Sequence, residues 1–480
     1  MLITILVYLA AMVGIGAVLA KQNQTTDDFY LGGRTLGPLV TAMSAEASDM
    51  SSWLLMGLPG VAYLSGTADA AWTAIGLAIG TYVNWLVVAK RLRNYTHVCG
   101  NSTTLPLFFS NRYRDNKRIL SVIAALLIII FFVPYTASGF AACGKLFANL
   151  FGMDYLPAML ISAIVIVAYT TLGGFLAAST TDFVQSIVMT IAIVVVFGFG
   201  ISKVGSFSAV MDNAKSMAGY FSLTHTHDVA TGTASPYSLL QIFSTLAWGL
   251  GYFGMPHVLL RFMAIGDANK LKLSRRVATV WVVISMAVSV FIGVIGNAMT
   301  KAGVLPTLKD PETIILVVSD LISKHGVLAT IIAGLILAGI LAATMSTADS
   351  QLLAASSSAS QNILKEVFMK DMSEKTGMLI ARITVLVIAL IGVFIARNPD
   401  SSVFQIVSFA WAGFGASFGP LVLLALFWKR STFQGALCGM VSGGVMVFVW
   451  KFLIRPMGGA LGIYELLPAF VLSCLAIVIV

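Results

Sequence analysis

Five polar side chains, Glu46, Ser48, Asp49, Ser51 and Ser52, sit in the middle of a stretch apolar enough to enter a membrane, LGPLVTAMSAEASDMSSWLLMGLPGVAYLSG at 36–66. A carboxylate near the centre of a bilayer costs roughly 2.5–3.5 kcal/mol on insertion scales, so it must face protein, and the usual reason for keeping it is ion or substrate handling. The small residues around it weaken the helix and let the backbone open. Such a segment handles something polar inside a membrane.

A second group lies in AATMSTADSQLLAASSS at 342–358, where helical spacing puts Ser346, Asp349 and Ser350 on one face with Thr347 beside them. Sodium, a hard cation, takes oxygen ligands: hydroxyls here, and carbonyls from a broken helix at 46–52. The plainer role for the serines and threonine is hydrogen bonding between helices. A third group, TLAWGLGYFGMPHVL at 245–259, carries Gly249, Gly251, Gly254 and Pro256, all of which weaken a helix, with Trp248 and Tyr252 spaced to face one side. Two aromatic faces suit a compact apolar ring or a cation. Asp182, in STTDFVQS, is expected at a helix N-terminus capped by Thr180 or Thr181, where an acid complements the dipole. Arg34 reads either as a membrane anchor or as the partner of an acidic gate residue.

The elements that must hold these residues follow from composition. The chain is 58% hydrophobic and 10% charged, with mean hydropathy +0.93, which excludes a soluble globular domain. Apolar stretches near the length needed to cross a bilayer fall at 2–20, 36–63, 68–89, 119–147, 156–178, 183–203, 237–258, 274–299, 327–355, 378–396, 403–427, 434–453 and 464–480. They give an all-α integral membrane protein of about thirteen spans. The first has no basic region before it and reads as a retained span rather than a cleaved signal.

With the N-terminus outside, 20 of the 29 basic residues fall in inside loops, including Lys21, Arg34, Arg93, Arg261 and Lys370, so the positive-inside rule gives N-out, C-in. The net charge of +9 is thereby a topology signal and needs no nucleic-acid partner. Cys99, Cys143, Cys438 and Cys474 show no disulfide or zinc spacing. His225 and His227, in the outer loop at 204–236, have the spacing of a metal pair, although a solvated loop is the plainer reading. No phosphate-binding loop, HExxH or nucleophile elbow is present, so no enzyme is indicated and the energy must come from a gradient.

Spans two and seven, the two interrupted ones, lie five spans apart. That odd separation predicts a five-plus-five inverted-repeat core, and a matched pair of broken spans points to a secondary transporter's midplane site. The 480 residues then form one membrane domain: a first helix and loop (1–35), a first repeat (36–203), a second repeat (237–427) and two further helices (428–480). A channel would need no such pair, and no soluble signalling module is present to suggest a sensor.

The runs FYLGGRTLGP (29–38), ASDMSSWLLMGLPG (47–60), TLGGFLAASTTDFVQ (171–185), WGLGYFGMPH (248–257), RFMA (261–264), MSTADSQLL (345–353) and SFAWAGFGASFGP (408–420) resemble the sodium:solute symporter family, in particular its proline-transporting branch. The resemblance implies sodium-coupled import of L-proline across the cell membrane by alternating access. Sodium as coupling ion is the only cofactor implied, with no obligatory protein partner. Another amino acid, a sugar or a vitamin is the alternative cargo. It further implies sodium ligands at Ala47, Met50, Ala343, Ser346 and Thr347, and a second cation at Asp182, Asp349 and Ser350. For substrate it implies Ser51, Tyr135, Trp248, Tyr252 and Pro256, and for coupling or gating Arg34 and Asp49; from this chain's own residues Ser52, next to Ser51, is expected at the substrate site and Glu46, one helical turn from Asp49, in the coupling group. The chain departs from the family at Glu46 and Ser52, where glycine is expected, and at Asp349, where serine is expected.

Overall fold

The computed structural model describes residues 1–20, 25–368, 373–398 and 402–480. Lys21 and Lys370, used above for orientation, lie outside the described residues. Among the described residues, nine helices are long and apolar enough to cross a membrane, and four shorter apolar helices (Trp53–Ser65, Tyr155–Ala168, Leu239–Phe253 and Leu466–Ile479) fall on remaining expected positions. Short polar elements fill several connections. The connection at 204–236 holds a helix, Phe207–Ser216, and a two-stranded hairpin pairing His225–Asp228 with Thr233–Pro236. His227 is engaged there with the Ala218 carbonyl, and no group of three metal-binding side chains occurs among the described residues.

Span two is broken where its polar residues predict. Helix Pro38–Asp49 ends at Met50 (φ −77°, ψ 67°), and Trp53–Ser65 resumes as one π-turn followed by α-helix. Span seven is helical over Leu239–Leu246, winds as a 3₁₀-helix over Ala247–Phe253, and restarts at Pro256 to run to Ala264. Proline suits that restart because the first turn needs no N–H there.

The connection between spans five and six differs from expectation. The helical run Tyr155–Val204 breaks at Gly174 (φ 66°, ψ −174°), well before the expected 179–182. Only glycine adopts that backbone cheaply. Thr180 and Thr181 instead return their hydroxyls to carbonyls one turn back, which keeps STTD inside the helix. Asp182 is therefore a mid-helix residue, not an N-terminal one, and its charge is not explained by a helix dipole.

Glycine also sets how closely the spans pack. A Cβ on Gly249 would overlap the backbone oxygen of Gly76, and one on Gly80 would overlap that of Gly249. Span seven thus lies against span three (Thr67–Val98) with backbone touching backbone. Gly249→Ala is expected to destabilise the protein by about 1–3 kcal/mol through overpacking. Gly14→Ala, with open space around its Cβ, is expected to change little; thermal unfolding of the two purified variants checks the contrast.

Candidate functional site

The break in span two faces three neighbours. Towards span nine (Val327–Ser357), Ser346 Oγ donates to the carbonyl oxygens of Ala47 (2.8 Å) and Ala343 (3.1 Å), and Thr347 Oγ1 to Ala343 (3.1 Å). Four of the five expected sodium ligands are thereby tied together. Met50 stands at the break itself, its carbonyl turned off the helical ladder by the non-helical ψ.

Towards span seven, Tyr252 Oη donates to Asp49 Oδ2 at 2.5 Å, while Trp53 Nε1 (3.2 Å) and Tyr135 Oη (3.4 Å) donate to the Asp49 carbonyl. Asp49 is fully buried and its Oδ1 has no partner. Ser51 and Ser52 complete the break, with Ser51 Oγ accepting from the Trp53 N–H at 3.4 Å. Pro256 is buried at the restart of span seven.

Trp248 and Tyr252 do not present one common face. A 3₁₀-helix turns about 120° per residue, so residues four apart point about 120° apart, and the expected α-helical spacing does not hold there. Trp248 stacks on Tyr464 (5.2 Å, 21°) and lies near Trp53, Phe404 and Trp411, whereas Tyr252 reaches inward to Asp49. Trp411 joins them: its Nε1 donates to the Trp248 carbonyl at 2.7 Å and its ring meets Tyr252 edge-on at 5.0 Å. Gly251 makes this possible, since a Cβ there would overlap the indole.

Towards span six, Asp182, Asp349 and Ser350 come together around a side chain the sequence placed in a loop. Arg261 is buried in the helix after the span-seven break, 1% exposed. Its Nη2 contacts Asp182 Oδ2 (3.1 Å) and Ser350 Oγ (2.6 Å), its Nε donates to Ser44 Oγ (3.0 Å), and its Nη1 to the His257 carbonyl (3.0 Å). Ser350 in turn bonds Asp349 Oδ1 at 3.1 Å. A guanidinium therefore lies in the cluster where a second cation was expected, and Arg261 leaves the tally of inside-loop charges. The sequence signal was a charge one turn beyond a proline restart. Ser44 and Trp411 had no signal beyond residue type.

The two ends of the site differ. At the Arg34 end, Leu36 pairs with Ile265 through the bonds Leu36 N–Ala264 O (3.2 Å) and Gly266 N–Leu36 O (3.1 Å). Arg34, in a left-handed conformation (φ 58°), donates to the carbonyls of Met263 (2.5 Å) and Ser102 (2.8 Å) and to Asn101 Oδ1 (3.2 Å). Burial, with Arg93 nearby, pushes Arg34 down to about 10, which leaves it cationic at neutral pH. These contacts clamp the lead-in to span two against the end of span seven. At the opposite end a cavity of about 900 Å³, lined by Gly57, Asp69, Lys145, Glu312 and Phe404, adjoins a smaller one reaching Trp248. The site is closed at one end and approached by open space at the other.

A model of the sodium:solute symporter family matches residues 29–443. The chain is 41% identical over 480 residues to the osmoregulated proline transporter OpuE of Bacillus subtilis, covering all of this chain and 94% of that one. It is 42% identical over 485 residues to a sodium/proline symporter of Haemophilus influenzae, again covering all of this chain and 94% of the relative. In fold it is similar to a Na+-coupled sialic acid symporter solved in a substrate-bound, outward-open state, with TM-score 0.80, 19% identity, and coverage of 99% of this chain and 96% of that one.

Proposed function

This chain belongs to the sodium:solute symporter family, and from that premise we propose that it imports L-proline together with sodium by alternating access between the two ends of the broken-helix site. It is a multi-pass membrane transporter and not an enzyme. The observation that carries the reading is the junction of Ser346 with the Ala47 carbonyl beside the break in span two. A sodium ion at that junction meets the Ala47, Met50 and Ala343 carbonyl oxygens and the Ser346 and Thr347 hydroxyls. In the present geometry the Ser346 proton serves the Ala47 and Ala343 carbonyls; turned away, it exposes lone pairs to the ion.

Sodium couples to transport only as far as it prefers one conformation. By bridging span nine to the broken span two it stiffens the turn bearing Asp49, Ser51 and Ser52. That turn, with Tyr135, Trp248, Tyr252 and Pro256, forms the proline site in this reading. The Trp248 aromatic cluster lies next to the open cavity, and Tyr252 fixes the Asp49 side chain behind it. Arg34, Glu46 and Asp49 serve coupling and gating, Arg34 by holding the closed end.

For the cluster of Asp182, Asp349 and Ser350 we propose that the cation is the Arg261 guanidinium itself, bound to Asp182 directly and to Asp349 through Ser350. Spans 36–203 and 237–427 are read as the two inverted repeats, supported by the contact of their broken helices through Asp49 and Tyr252 and through Trp53 and Trp248. The open end then faces outward in the cell membrane, with the N-terminus outside.

Purified protein in proteoliposomes is expected to accumulate labelled proline under an imposed sodium gradient. Excess unlabelled proline should compete better than other amino acids, sugars or vitamins. Equal uptake without sodium would sink the symport reading, and stronger competition by another solute would move the substrate.

A further inference from the structure

Glu46 is a membrane-depth acid that the sodium cage does not use. It points to span three, where Trp85 Nε1 donates to its Oε1 at 2.9 Å. In the same stretch of span three Asn84 Nδ2 donates to the Tyr252 carbonyl (3.1 Å), and Thr81 lies beside the Tyr252 hydroxyl, which is committed to Asp49. Those bonds leave four buried oxygens without a partner: Glu46 Oε2, Asp49 Oδ1, Thr81 Oγ1 and Asn84 Oδ1. Glu46 is 1% exposed and the other three residues are wholly buried. Unpartnered buried oxygens are rare, because each forfeits its bonds to water with nothing in return.

The charge balance points the same way. Glu46 and Asp49 lie one helical turn apart, and the groups that interact with Glu46 are Asp49, Trp85 and Tyr252, none of them a cation. The buried guanidinium of Arg261 is committed to Asp182 and Ser350. A single sodium at the span-nine junction offsets one of the two carboxylates and leaves the other uncompensated.

We propose that Glu46, together with Asp49, Thr81 and Asn84, forms a second sodium site on the span-three side of the break, so that each proline moves with two positive charges rather than one. The inference rests on the sodium/proline reading and adds to it a stoichiometry and a place. The lining is oxygen only, which suits sodium, a hard cation.

The protein is reconstituted and the membrane potential that just balances a fixed proline gradient is measured at a fixed sodium gradient. The wild type is expected to give two charges per proline, and Glu46→Gln, which keeps an acceptor for Trp85, is expected to give one. The ratio does not depend on how fast the variant turns over. Proline-dependent acidification of the lumen with one sodium per proline would overturn the second sodium site. A radiolabelled sodium-to-proline ratio of two that falls to one identifies sodium. A wild-type value of one charge per proline overturns the site even when Glu46→Gln does not insert, and so does an unchanged ratio in the variant. Uptake independent of sodium would instead remove the reading beneath it.

Discussion

Arg261→Ala is expected to yield little folded transporter, and what is recovered should unfold at a markedly lower temperature. The substitution strands Asp182, which is wholly buried and keeps only Ser44 as a donor. Breaking a buried ion pair by deleting one partner typically costs about 3–5 kcal/mol, because the remaining charge stays desolvated. Four bonds of the guanidinium vanish with it, to Asp182, Ser350, Ser44 and the His257 carbonyl. These tie the far half of span seven to spans two, six and nine, so the loss also loosens the frame around the break.

The pair version of this test separates charge from packing. Arg261→Met with Asp182→Leu removes both charges and keeps bulk, and well-packed apolar replacements of buried ion pairs are often neutral or stabilising. The double variant is therefore expected to be more stable than either single one, yet to lose transport if the guanidinium serves as the fixed cation of the Asp349 and Ser350 cluster. Thermal unfolding and uptake, measured on all four proteins, give the coupling. An Arg261→Ala protein with wild-type unfolding temperature would remove the ion pair from the account.

What was legible in the sequence was polarity in the wrong place. Asp49 among apolar residues marked the break in span two, and the glycines with Pro256 marked that in span seven; both occur where expected. Side-chain direction was less accessible. Spacing assigns faces only when the helix type is known, and the 3₁₀ winding of Ala247–Phe253 separated Trp248 from Tyr252. A chain break is hard to place from sequence where side-chain and backbone preferences conflict: Thr180 and Thr181 resemble a cap but bond backwards, and Gly174 breaks the helix earlier. Arg261 was invisible as a core residue because its value depends on Asp182, 79 positions away in the chain. Composition reports that a charge exists; only packing reports which opposite charge it meets.

The second large effect is expected at Ser346. Replacing it by alanine removes a ligand of the proposed sodium junction and, without the ion, leaves the Ala47 carbonyl short of its donor. A hydrogen bond or ligand contact to a charged species contributes about 1.5–3 kcal/mol. At about 1.4 kcal/mol per tenfold, the sodium concentration for half-maximal uptake should rise roughly 10- to 100-fold, with the maximal rate at saturating sodium much less affected. Asp49→Asn should raise it too, by a different route. Asparagine still accepts from Tyr252, so the Tyr252 contact survives while the charge that draws the cation to the break is gone. Because Asp49 is wholly buried, added non-transported salt should screen its charge little, and neither deficit should be relieved by ionic strength. Wild-type sodium dependence in both variants would move the ion away from span nine altogether, and with it the mechanism by which sodium orders the broken helix.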